Sequence, residues 1–226
     1  MIREIVMDTE TTGLDPNQGH RLVELGAVEL INHVPTGRTF HRYINPERDM
    51  PEEAQRIHGL SAEFLSAHPV FAASEVVDEF IAFIADSALV IHNAAFDMRF
   101  INAEFARCGR PLLHQSRAID TLTIAQRRFP GAPNSLDALC RRFGVDNSAR
   151  TKHGALLDSE ILAEVYLHLL GGRQVTLGLM TPDVRANGGR TVVRNRHEPR
   201  IFTPSVAELE AHEAFIGKLK HAIWLQ

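Results

Sequence analysis

Two cysteines, one tryptophan and two tyrosines are all that this chain of 226 residues contains. Cys108 and Cys140 lie far apart and in no C-x-x-C pattern, which excludes a disulfide framework and a zinc site, and both are expected as reduced helix residues. Long apolar runs are missing too. No window approaches the ~18 apolar residues of a membrane span, and the run in Met1-Ile2-Arg3-Glu4-Ile5-Val6-Met7 is too short for a signal peptide. A cytoplasmic location with no membrane partner is expected. Nor is there a general excess of positive charge. Residues 1–170 carry 16 Lys and Arg against 23 Asp and Glu, and residues 171–226 carry 8 against 5, within a net charge of −4. The acidic larger part is no broad basic surface for duplex DNA.

What the chain does hold is carboxylates in apolar company. Asp8-Thr9-Glu10-Thr11-Thr12-Gly13 follows the run Ile5-Val6-Met7, so Asp8 and Glu10 share one face of an expected strand. Two such acids repel each other and resist desolvation, and an all-oxygen cluster suits a hard divalent ion. A second apolar run, Ala88 to Ile91, leads into His92-Asn93-Ala94-Ala95-Phe96-Asp97, with Asp97 expected at a strand-to-helix turn. A third segment, His153-Gly154-Ala155-Leu156-Leu157-Asp158, opens a periodic helix in which Leu157, Ile161 and Val165 form one stripe and Leu162, Tyr166 and Leu169 another. Asp158 shares the stripe of Leu162 and so points inward, which is costly unless it is paired or metal-bound.

Taken together, Asp8, Glu10, Asp97 and Asp158 with His153 resemble the DEDD superfamily of 3′-to-5′ exonucleases, in the branch whose third motif is H-x4-D. The resemblance covers residues 1 to about 170, and within that branch the chain is similar to the proofreading epsilon family of bacterial DNA polymerase III. It implies two divalent metal ions, Mg2+ or Mn2+. Asp8, Glu10 and Asp158 would hold one, Asp8 would bridge to the second, and Asp97 would act through bound water. One ion would activate the water nucleophile and the other stabilise the leaving 3′ oxygen. His153 is then the candidate general base, since imidazole can take a proton near neutral pH. Positions five apart lie about 140° apart on a helix, so His153 is expected on a turn before the helix, between Lys152 and Gly154. The resemblance also implies that Thr11, Thr12, Gly13 and Leu14 line the pocket of the terminal nucleotide, with His58 and Asn93 near it. His58 before Gly59 equally suits a helix cap, and Phe96 and Phe100 suit the core.

Periodicity and turn residues organise the rest. Arg3 to Asp8, Leu22 to Leu30 and Thr39 to Ile44 are expected as successive strands, the last two joined by a turn at Pro35-Thr36-Gly37. Helices are expected from Ser74 as a cap to about Ile84, from about Asp97 to Arg107, over Thr121 to Phe129, and over Ser135 to Phe143 with Gly144 as the stop. A short strand is expected near Ala118-Ile119. This suits an α/β fold, a ribonuclease-H-like mixed sheet flanked by helices, with the exonuclease domain in residues 1–172.

Residues 173–226 are expected as a linker and partner-binding tail, flexible and ending in a short helix. Gln174, Leu177 and Leu179 form a Q-x-x-L-x-L string that resembles the short peptides binding bacterial sliding clamps. Residues 181–200 hold two prolines, a glycine pair and five arginines, a basic linker composition. Between about 205 and 224, apolar residues including Phe215, Leu219 and Trp224 recur at helical spacing, resembling a tail that docks on the polymerase catalytic (alpha) subunit. A small third core subunit is implied with it. The substrate implied is single-stranded or frayed DNA 3′ ends, degraded to nucleoside 5′-monophosphates. Two alternatives remain open at this point: a stand-alone exoribonuclease, because recognition of the 2′-OH depends on pocket geometry, and a non-catalytic nucleic-acid-binding or scaffold module.

Overall fold

The computed structural model describes residues 1–148, 150, 152–172 and 203–218. The chain divides into two compact units, Met1–Gly178 and Leu179–Gln226. The first contains a mixed sheet of strands β1 (Arg3–Thr11), β2 (Leu22–Ile31), β3 (Val34–Tyr43), β4 (Ala88–Ile91) and β5 (Ala118–Asp120), in the order β3-β2-β1-β4-β5. The first three strands pair antiparallel as a meander, while β4 and β5 continue parallel from β1. Helices α1 (Glu52–His58), α2 (Ala62–Ser66) and α3 (Ser74–Ile84) precede β4, and α4 (Ala94–Arg107) joins it to β5. Helices α5 (Thr121–Arg128), α6 (Leu136–Phe143) and α7 (Ala155–Leu169) follow.

Central strand β1 is apolar on both faces because both are covered. Ile5 and Met7 pack with Val76, Phe80, Phe100 and Phe105 of α3 and α4. Val6, between them, packs with Leu162, Ala163 and Tyr166 of α7. This alternation sandwiches the sheet between helices.

Several boundaries depart from expectation. The β2–β3 turn is Asn32-His33, both with positive φ, the two-residue hairpin connection whose twist matches the strands. Pro35, Thr36 and Gly37 lie inside β3 instead, and Pro35 is tolerated because β3 is an edge strand. The first strand runs on to Thr11, so Glu10 belongs to it. Ser74 is the first residue of α3 rather than its cap. α4 begins at Ala94 after a left-handed Asn93, which puts Asp97 in its first turn. Helices α1 and α2 are too short to show a periodic stripe. Asp120 caps α5, and Ser135 and Gly144 bound α6.

One glycine lets α7 reach the sheet. A Cβ on Gly26 would lie 2.1 Å from the Leu156 backbone nitrogen, so only glycine allows this approach. Ser159 Oγ sits in this contact, 2.6 Å from the Ala155 carbonyl and 3.0 Å from the Gly26 carbonyl, its one proton shared between them. Because Gly26 pairs with Asp8 across β1–β2, this close contact carries Asp158 towards Asp8.

In the second unit, α8 (Val206–Ile216) starts with a reciprocal capping box between Ser205 and Glu208. Glu208, Glu210 and Glu213 spread around it, so its described turns are not sharply two-faced as expected. Phe215 is exposed there. Gln174, Leu177, Leu179, Leu219 and Trp224 lie outside the described residues. Among the described residues no helix is long and apolar enough to cross a membrane.

Candidate active site

Asp8 and Glu10 at the end of β1, Asp97 in α4, and His153 and Asp158 at the start of α7 line one cavity of about 510 Å³. Polar atoms of Glu10, His153 and Asp158 lie within 4.8 Å of one another. His153 stands on the turn before α7, whose first cap is Gly154, and it is half exposed where Asp158 is buried.

The carboxylates are not at ease. Burial, with Asp97, Glu10 and Asp158 nearby, pushes the Asp8 carboxyl well above its ordinary range. Burial, followed by the charges of Glu24, Asp158 and Asp97, pushes Glu10 up to about 8. Burial raises Asp97 to about 7, although Thr9 Oγ1 donates to its Oδ1 at 2.7 Å. Asp158 differs. Burial alone would raise it, but the neighbouring His153 and Arg150 outweigh burial and hold it low. Four acids against one guanidinium leave negative charge uncompensated, and oxygen donors of this kind fit a hard divalent cation.

A second cavity of about 520 Å³ adjoins the first, sharing Thr9, Glu10 and Phe96 with it. Thr11, Thr12, Gly13, Leu14 and His58 line it. Thr11 Oγ1 donates to the Gly13 carbonyl at 2.7 Å, and Arg99 holds the Leu14 carbonyl at 2.8 Å. The Leu14 side chain is left 78% exposed. Thr12 Oγ1 accepts from Arg21 N–H at 3.0 Å and meets His20 Nδ1 at 3.1 Å.

His58 is the last residue of α1 and Gly59 its left-handed cap. Its Nδ1 accepts from the Leu60 N–H at 3.0 Å, which leaves the proton on Nε2. That buried Nε2 faces the Thr11 backbone and, among the described residues, reaches no acceptor in good hydrogen-bond geometry. A buried donor without a partner is uncommon and marks a place for an acceptor.

Asn93 and His92 line the first cavity rather than the second. Asn93 N–H donates to Asp120 Oδ1, and His92 Nδ1 meets Thr121 Oγ1 at 3.0 Å. Phe100 is fully buried core, as expected. Phe96, on the first turn of α4, packs against the core but is only half buried and forms a wall of both cavities.

Sequence reasoning missed Arg150 and Asp137. Both line the first cavity, and Arg150 is bound to Asp158, Asp137 and His153. The available signal was an arginine three residues before the candidate base, close enough on a turn to reach it.

Residues 5–166 match the family described as Exonuclease, RNase_T. The DNA polymerase III subunit epsilon of Rickettsia felis is 51% identical over 224 residues, covering 96% of this chain and 97% of that protein. That of Escherichia coli is 44% identical over 223 residues, covering 94% and 91%. Among solved structures, Exonuclease X in complex with 5′ overhanging duplex DNA matches with a TM-score of 0.57 at 25% identity, over 75% of this chain and 91% of that one. The nuclease domain of 3′hExo, a DEDDh family member bound to rAMP, gives 0.63 at 19% identity over 74% and 91%, a likeness of fold.

Proposed function

The chain belongs to the Exonuclease (RNase_T) family, and within it to the DNA polymerase III epsilon subunits, and from this premise we propose how its residues perform 3′-to-5′ removal of nucleotides during replication. The activity is that of a proofreading 3′–5′ exonuclease, and its family depends on divalent metal. The observation that carries the site assignment is the meeting of four carboxylates and His153 beside a nucleotide-sized cavity.

In this reading Asp8, Glu10 and Asp158 would hold one Mg2+ or Mn2+, with Asp8 shared with a second and Asp97 acting through water. Bound there, divalent cations lower the pKa of water and stabilise negative charge on a phosphodiester undergoing displacement. The chain's own residues do the rest. His153 accepts the proton of the attacking water. The backbone of Thr11 to Leu14 cradles the terminal nucleoside in the second cavity, where His58 Nε2–H, beside the Thr11 backbone, donates to a sugar or base oxygen. Phe96 separates that nucleoside from the reacting phosphate, and Asn93 stands at the mouth of the first cavity.

Residues 1–172 constitute the exonuclease domain in this proposal and residues 173–226 the partner-binding tail. DNA 3′ ends are the substrate. Gln174, Leu177 and Leu179 contact the sliding clamp, while Phe215, Leu219 and Trp224 contact the polymerase catalytic subunit, in a core that includes a small third subunit. The test is incubation of the full chain with 5′-labelled single-stranded DNA and Mg2+ or Mn2+. Stepwise shortening from the 3′ end with release of nucleoside 5′-monophosphates, abolished by EDTA, is expected. Undiminished hydrolysis in EDTA, or internal cleavage, would overturn the assignment.

A further inference from the structure

Arg150 is bound into the centre on every side. Its side chain is 8% exposed. Nε donates to Asp158 Oδ1 at 2.5 Å, Nη2 donates to Asp158 Oδ2 at 2.6 Å, and Nη1 donates to Asp137 Oδ1 at 2.7 Å. Nη2 also lies 2.8 Å from His153 Nδ1, closer than the 3.3 Å between that nitrogen and Asp158 Oδ2. A guanidinium has donors only and stays charged. The His153 nitrogen stands between this guanidinium and the Asp158 carboxylate.

Arg150 thus stands directly against the candidate base, at Nδ1. The same guanidinium engages both oxygens of Asp158, one of the acids proposed to hold a cation. Resting on the metal-dependent reading above, we propose that Arg150 is an internal latch: it engages both oxygens of Asp158 and the Nδ1 of His153, and a divalent cation entering beside Glu10 and Asp158 displaces it from both.

Two observations make the exchange physically reasonable. A cation ligated by Asp158 and the bidentate guanidinium would lie a few ångströms apart, where like charges in a site shielded from water repel strongly. The guanidinium also has somewhere to go. Asp137, whose side chain is 46% exposed, lies on the other side of Arg150 and can keep one ion pair as the head group turns away from Asp158. His153 N–H donates to the Ile57 carbonyl at 3.3 Å and the Lys152 side chain packs against Gly59. Arg150 acts in this proposal as a positioning residue.

The test is Mn2+ titration, by calorimetry or electron paramagnetic resonance, of the full chain stripped with EDTA, comparing wild type with Arg150→Gln. A latch competes with the cation, so the variant should bind Mn2+ more tightly, by roughly the 5- to 150-fold typical of coupled sites. A residue that merely props Asp158 in place would give the opposite sign. Equal or weaker affinity in the variant overturns the latch, whereas a wild type that binds no Mn2+ overturns the metal reading itself. A second measurement needs no variant. In 15N-arginine-labelled wild type, the Nε–H signal assigned to Arg150 through its contacts with the His153 ring should be protected from solvent exchange in EDTA and lose that protection at Mg2+ saturation. Unchanged protection at saturation overturns the proposal.

Discussion

Glu10 and Glu24 face each other directly across the antiparallel pair β1–β2, and both are buried. Like charges in this position destabilise a sheet. Glu24 is answered by His41, whose Nε2 lies 2.7 Å from its Oε1. Among the described residues Glu10 has no such partner, and after burial Glu24 is the largest cause of its raised pKa.

Stability should therefore depend on pH in a specific direction. Glu10 and Asp97, raised to about 8 and about 7, keep protons in the folded chain that the unfolded chain has released. Between the ordinary carboxylate range and pH 8 the folded state binds more protons, so its stability falls as pH rises, by on the order of a few kcal/mol. Asp158, held low, has the opposite sign and matters only on acidification. Thermal melts in EDTA from pH 5 to 8.5 should show a falling Tm, shallower in Glu24→Gln and largely flattened by saturating Mg2+. A Tm that rises with pH in EDTA would contradict this.

The four acids should separate by stability although not by activity. Asp8→Ala, Glu10→Ala, Asp97→Ala and Asp158→Ala should each abolish nucleotide release. The first three relieve repulsion and should keep or raise the Tm in EDTA. Asp158→Ala strips Arg150 of a buried bidentate partner and should cost ~3 kcal/mol. Chemical denaturation measures the difference, and an Asp158→Ala chain as stable as Glu10→Ala would refute it.

Replacing His153 by alanine should slow single-turnover cleavage by roughly 10²–10⁴-fold, the range for a lost general base, with Mn2+ still bound. A rate within a factor of two of wild type would remove His153 from the chemistry.

The three carboxylate motifs were legible because each is an acid set in an apolar run, where no neutral reading satisfies it. Strand β1 was legible as a short apolar run and helix α7 as a long one, because both are buried on more than one face. The β2–β3 turn was misplaced because Pro35 and Gly37 are strong local punctuation, whereas Asn32-His33 announces its positive φ only through one asparagine. Gly26 carried no signal at all. Its requirement comes from a helix 130 residues later in the chain packing against it. Arg150, likewise, looks like any surface arginine until the fold puts Asp137, Asp158 and His153 around it.

Division of the chain at Gly171-Gly172 should leave catalysis in the first part. Residues 1–172 alone should degrade a short single strand at a rate close to that of the full chain. In the full chain, Gln174→Ala with Leu177→Ala should weaken clamp binding and Trp224→Ala should weaken polymerase binding, since a tryptophan suits an interface anchor. Titration of each variant against clamp and polymerase separately checks this, and loss of both affinities from either change alone would contradict two distinct binding segments.

The most direct measurement is single-turnover excision from a primer–template whose 3′ terminal pair is matched or mismatched, with wild-type chain in excess and Mg2+ present. A cavity that takes the terminal nucleotide unstacked makes unpairing part of the barrier, a few kcal/mol at a matched end and less at a mismatched one. The mismatched nucleotide should leave as its 5′-monophosphate at least tenfold faster than the matched one, and Glu10→Ala should remove neither. Equal rates on the two ends, or excision that survives Glu10→Ala, would contradict the account.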